Sequence, residues 1–98
     1  MIIRGGENIA PAEIETVLMS HPAIDEVAVI GIPSVEWGQV VKAFVVTRPG
    51  EKVGEKELID FCRKRMSSFK CPESIEFIDS LPKNPLGKIL RKELRARD

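Results

Sequence analysis

The sequence predicts an α+β domain: a small sheet of about three main strands with helices packed on its faces, plus a short N-terminal strand. Three observations carry that prediction. Residues 27–32 and 40–47 are apolar, β-branched runs too short for typical helices, and they read as central strands. Residues 11–20 and 55–66 place apolar side chains at helical spacing. Strand and helix signals are interspersed along the chain, which suits helices layered on a sheet better than a bundle or a sandwich.

Residues 1–4 form a short strand in this reading, and Gly5-Gly6-Glu7-Asn8 is the turn after it. Pro11 suits the first turn of a helix, where its missing N–H has no partner to lose. Ile14, Val17 and Leu18 then recur on one face, Glu13, Glu15 and Thr16 point outward, and early acids complement the helix dipole. His21-Pro22 stops that helix near Ser20. The run Val27-Ala28-Val29-Ile30-Gly31-Ile32, closed by Pro33, is expected to be buried on both faces. Residues 33–38 connect it to the next strand and carry the only tryptophan, Trp37; Arg48-Pro49-Gly50 ends that strand. In the helix over residues 55–66, Leu58, Ile59, Cys62 and Met66 point inward. Residues 75–78 give a last strand, and a closing helix over residues 89–97 has Leu90 and Leu94 as anchors.

At 98 residues the chain has room for one modest core. The formal net charge is zero, which gives no global attraction to nucleic acid or to an anionic membrane. Charge is nevertheless uneven: from Lys83 to Arg97 the basic residues Lys83, Lys88, Arg91, Lys92, Arg95 and Arg97 stand against the single acid Glu93. That basic stretch is either a solvated helix face or a surface that sits beside phosphates. Cys62 and Cys71 lack C-x-x-C spacing, and His21 is the only histidine, so no zinc site is indicated and His21 reads as a surface or capping residue. The cysteines read as reduced, packing thiols of a cytoplasmic protein, with a Cys62–Cys71 disulfide as the competing reading. Met1-Ile2-Ile3-Arg4 leads straight to Gly5-Gly6, so no signal peptide is expected, and no apolar run approaches membrane-spanning length. Met1-Ile2-Ile3 opens without a polar lead-in, and the chain is expected to be a piece of something longer.

No nucleophile sits beside a base, and no carboxylates pair for acid–base work, so the domain is not expected to catalyse anything unaided. Two glycine-containing loops stand out. Gly5-Gly6 is either a plain turn or a place where bare backbone approaches a ligand. In Pro82-Lys83-Asn84-Pro85-Leu86-Gly87-Lys88, two prolines stiffen the loop, Gly87 removes bulk, and Lys88 presents an ammonium group. The spacing is not that of a phosphate-binding P-loop.

Residues 2–9 (Ile2-Ile3-Arg4-Gly5-Gly6-Glu7-Asn8-Ile9), residues 11–15 (Pro11-Ala12-Glu13-Ile14-Glu15) and residues 81–91, in this order, resemble the mobile C-terminal domain of the adenylate-forming acyl-CoA synthetases. That superfamily includes fatty-acid and aryl-acid CoA ligases, luciferases and nonribosomal adenylation domains. The resemblance covers essentially the whole chain, so residues 1–98 form one accessory lid domain and the N-terminal adenylating domain lies elsewhere. It implies a two-step reaction: a carboxylic acid and ATP give an acyl-adenylate and pyrophosphate, then the CoA thiol displaces AMP. It also implies that the small domain rotates between the steps, with the ATP loops, acid pocket and Mg²⁺ held by the larger domain.

Residue by residue, the resemblance assigns Lys88 to the first step as the catalytic cation, with Gly87 beside it. Gly5, Gly6 and Glu7 match the loop that lines the pantetheine channel in the second step. Trp37 resembles the aromatic that some members set against the CoA nucleotide; a rim residue covering the sheet edge is the competing reading. Phe69-Lys70 matches a segment that contacts the CoA nucleotide in aryl-CoA ligases. Cys71 and Glu73 depart from the basic residues found there, which puts a phosphate clamp at this spot in question.

Two other readings compete. One is a carrier-protein-loading adenylation domain, which shares the first half of the chemistry. The other is a stand-alone binding module whose basic terminal helix docks nucleic acid or an acidic partner. Zero net charge, no Tyr, one Trp and four Phe read as mostly core weigh against nucleic acid.

Overall fold

The computed structural model describes residues 1–97. Its elements are β1 (Ile2–Arg4), β2 (Glu7–Ile9), α1 (Pro11–Met19), β3 (Ile24–Ser34), β4 (Gly38–Thr47), α2 (Glu55–Arg63), β5 (Ser74–Phe77) and α3 (Arg91–Arg97). The main sheet has the order β3-β4-β5, with β3 and β4 antiparallel and β4 and β5 parallel. A parallel neighbour requires a crossover, and α2 supplies it. The α+β class therefore stands, and so do the three main strands and the short leading one.

Period-two alternation along β3 and β4 divides the core between the two faces of the sheet. Val27, Val29, Val41, Ala43 and Val45 pack with Ile2 and Ile9 of the first hairpin, Ile14 and Leu18 of α1, and Leu58 and Cys62 of α2. Ala28, Ile30, Phe44 and Val46 pack on the other side against Leu81 and Leu94, with Ile78 and Ile89 alongside. Residues 27–31 are all buried, as expected of a strand covered on both faces.

Several expectations need correction. The turn read at residues 5–8 is only Gly5-Gly6; Glu7 and Asn8 belong to β2, which pairs with β1 in the register Arg4↔Glu7, Ile3↔Asn8 and Ile2↔Ile9. Both glycines have positive φ, +54° and +86°, as a two-residue type I′ hairpin turn demands. β3 starts earlier than the apolar run and carries Pro33 within it, which an edge strand tolerates. α2 stops at Arg63, although Met66 still packs on the core. α3 starts at Arg91 because Ile89 is held in a bridge to Lys83. Glu15, expected to point to solvent, is half-buried and accepts the Val29 N–H at 2.9 Å.

Candidate functional site

The loop around Lys88 is a closed miniature hairpin. Lys83 bridges Ile89, and the Leu90 N–H donates to the Pro82 carbonyl at 2.8 Å. Inside that base, the Asn84 N–H donates to the Lys88 carbonyl and the Gly87 N–H to the Asn84 carbonyl, both at 2.9 Å. The Asn84 Oδ1 accepts the N–H groups of Leu86 and Lys88 at 2.9 and 3.0 Å. Asn, Pro and Gly occupy the first, second and fourth turn positions they favour, and Gly87 takes φ +85°, closed to most side chains. Leu86 (87% exposed) and Lys88 project outward at the tip. Among the described residues no ion pair engages Lys88, so its ammonium is available to an outside anion.

A second cluster forms where the first hairpin meets the β3–β4 connection. The Gly5 N–H donates to the Trp37 carbonyl at 2.8 Å, and a Cβ on Gly5 would lie 3.0 Å from the Trp37 ring. A Cβ on Gly6 would meet nothing within 4 Å, so that position faces open space. The Arg4 guanidinium lies 5.0 Å from the Trp37 ring centroid and 4.9 Å from that of Phe69, and the two rings meet edge to face. Arg4 also donates to the Phe69 carbonyl at 2.8 Å and pairs with Glu73 at 2.9 Å.

Gly5, Trp37 and Phe69 are thus brought together, with Gly6 on the same turn, whereas Glu7 is exposed on β2. Lys70 turns away from the rings to Glu13, 3.3 Å from each carboxylate oxygen. Lys88 and Gly87 belong to the other group: their loop is rooted, through Leu81 and Ile89, on the opposite face of the sheet from Ile2 and Phe69. Glu73 stands where a basic residue was the pattern, and here it holds Arg4. The sequence reading passed over Arg4 and Asn84. The Asn-Pro dipeptide is a turn signal that could have flagged Asn84; no local signal marks the partners of Arg4.

The basic C-terminal stretch is not uniformly solvated. Arg91 pairs with Glu15 at 2.5 Å, Arg97 with Glu76 at 2.7 Å, and Lys83 with Glu26. Arg97 first, then Lys42, holds the Glu76 carboxyl below the usual carboxylate range. Phe44 is fully buried, but Phe77 and Trp37 are 40% and 37% exposed, so the aromatics are less core-bound than expected. His21 is half-buried: its Nδ1 accepts the Ala23 N–H at 3.0 Å, its Nε2 lies 3.1 Å from Glu57, and its ring meets Phe61 edge to face. It caps a turn. Cys62 and Cys71 are buried free thiols, and burial, helped by the neighbouring Cys71, pushes Cys62 up to about 12. Among the described residues no group of three or more His, Cys, Asp or Glu could hold a metal, and no helix is long and apolar enough to cross a membrane.

Comparison with known proteins gives a consistent answer. The family model for the AMP-binding enzyme C-terminal domain matches residues 13–88. The fatty acid–acyl-carrier-protein ligase ScoC of Streptomyces coeruleorubidus is 51% identical over 98% of this chain and 18% of its own length. The long-chain-fatty-acid–CoA ligase FadD13 of Mycobacterium tuberculosis is 45% identical over 99% of this chain and 19% of its own. Among solved structures, ATP-bound MatB from Rhodopseudomonas palustris superposes with a TM-score of 0.95 at 34% identity, covering 99% of this chain and 19% of that one. The chain spans about a fifth of the length of the relatives it matches.

Proposed function

The chain belongs to the AMP-binding enzyme C-terminal domain family, and from that premise we propose that it is the mobile lid of an ATP-dependent acid–CoA ligase. A larger N-terminal adenylating domain supplies the ATP loops, the acid pocket and Mg²⁺. The substrates are a fatty or other carboxylic acid, ATP and CoA. The acid first attacks the α-phosphate of ATP, releasing pyrophosphate and leaving an acyl-adenylate; the CoA thiol then displaces AMP and forms the thioester.

Lys88 serves the first step. A carboxylate attacking a phosphate brings two anions together, and an ammonium group touching both offsets the repulsion and the charge that develops. The observation that carries this reading is Lys88 itself: a cation with no ion-pair partner among the described residues, at the tip of a loop whose backbone is hydrogen-bonded closed. The Gly5–Gly6 turn, Trp37 and Phe69 serve the second step, with Trp37 offering a partly exposed ring beside the turn. Arg4 and Lys70 are both already paired with carboxylates, so the ring surfaces rather than free cations contact the acceptor.

The test uses the full-length enzyme and measures each half-reaction. Lys88→Ala is expected to lower adenylation by on the order of 10²–10³-fold and to spare thioester formation from supplied acyl-adenylate. Equal loss of both would reject the step-specific role.

A second reading of the acceptor has one observation in its favour, the 51% identity to a ligase that loads an acyl-carrier protein. In that reading the thiol is carried on a protein-borne pantetheine arm. Offering CoA and holo-carrier protein side by side, and comparing turnover, separates the two.

A further inference from the structure

We propose that Asn84 is the positioning residue for Lys88, acting through the backbone of the loop rather than by touching substrate; the proposal rests on the role assigned above to Lys88. Four hydrogen bonds converge on this one asparagine. Two come from its main chain, to Lys88 and from Gly87, and two end on its carboxamide Oδ1, from the N–H groups of Leu86 and Lys88. The main-chain pair closes the turn and would survive many substitutions. The Oδ1 pair depends on the side chain, and it is the one that fixes the Lys88 amide.

Without Oδ1 the tip would lose its inner support. Gly87 is the most permissive residue in the loop, and Leu86 is almost fully exposed, with no packing to hold it. The Lys88 side chain would then swing on a looser stem. A lysine ammonium must sit between two oxygens in the reacting complex, and a misplacement near 1 Å can cost about 10²-fold in rate. Asn is suited to this place because its carboxamide oxygen accepts both N–H groups without the negative charge of an Asp, which would compete for the lysine cation.

The test compares Asn84→Leu, Asn84→Ser, Lys88→Ala and the double variant Asn84→Leu/Lys88→Ala in the full-length enzyme. Asn84→Leu is expected to lower kcat of adenylation by on the order of 10- to 100-fold, with thioester formation from supplied acyl-adenylate within about twofold of wild type. Asn84→Ser, which keeps an acceptor at the first turn position, is expected to recover most of the rate. Because Asn84 acts through Lys88, the double variant is expected to be no slower than Lys88→Ala alone. Amide hydrogen exchange at Leu86 and Lys88 should quicken in Asn84→Leu whatever the activity. Wild-type adenylation by Asn84→Leu, alongside a defective Lys88→Ala, would overturn the role of Asn84 and leave that of Lys88 standing. Full adenylation by Lys88→Ala would overturn both. A double variant slower than Lys88→Ala would show that Asn84 acts by some other route.

Discussion

Arg91 and Glu15 meet at 2.5 Å across the outer edge of β3, and between them they occupy both backbone groups of Val29. The Glu15 carboxylate accepts the Val29 N–H at 2.9 Å, and the Arg91 Nε donates to the Val29 carbonyl at 3.4 Å. A pair of side chains thereby takes the place of a neighbouring strand. The same pair ties α1, on one face of the sheet, to α3, on the other, and blunts an edge that could otherwise recruit foreign strands.

Removing the carboxylate should be costly for its size. Glu15→Ala leaves the buried Val29 N–H without a partner and strands Arg91, a loss of about 1–3 kcal/mol. Thermal unfolding would register it as a fall in Tm of about 4–8 °C for each kcal/mol. Arg91→Ala should cost less, because Glu15 keeps its bond to Val29. An unchanged Tm in Glu15→Ala would show that the edge is held by packing alone.

The two glycines of the first hairpin should respond differently to substitution. Both suffer from positive φ, but only Gly5 has a ring 3.0 Å from the added Cβ. Gly5→Ala is expected to displace Trp37 and to lower Tm along with thioester formation. Gly6→Leu projects into open space; it should block thioester formation in the full-length enzyme while leaving adenylation within a few-fold of wild type. Normal CoA turnover by Gly6→Leu would remove the turn from the proposed channel.

Alkaline conditions should weaken the domain through Cys62. Its thiol is held neutral to about 12 in the folded state, whereas an unfolded thiol ionises near about 8.5. The folded state therefore binds the extra proton in that window, and the associated stability is complete below about pH 8.5 and lost as pH rises toward about 12. Urea denaturation at pH 7 and pH 10 should show a larger fall for the wild type than for Cys62→Ala, once the cavity cost common to both pH values is subtracted. Equal falls would mean that the Cys62 thiol ionises alike in the folded and unfolded chains.

The sequence disclosed the parts of the fold that repeat and hid those made by pairing. The runs at Val27 and Val40 and the spacing of Ile14, Val17 and Leu18 are local, and the strands and helix formed where they point. β2 went unread because three residues give too little alternation to notice, although Gly-Gly between two short runs is a hairpin signal. Glu15 looked solvent-facing because its partner Arg91 is 76 residues away. The cluster of Arg4, Trp37, Phe69 and Glu73 has the same difficulty, since Arg4 and Glu73 are 69 residues apart. Composition could not assemble that cluster. Family likeness pointed to Trp37 and Phe69 but not to the arginine between them. Lys88 was legible because proline, glycine and lysine are contiguous, while the four bonds made by Asn84 were not.

The division of the core by the sheet has a mechanical corollary. Hardware rooted on opposite sides of one stiff slab cannot be offered to the same flat counterpart at once, however the slab is tilted. On the proposed division of labour the slab turns over between uses, and a swivel at its root, rather than bending within it, would set how quickly one tool replaces the other.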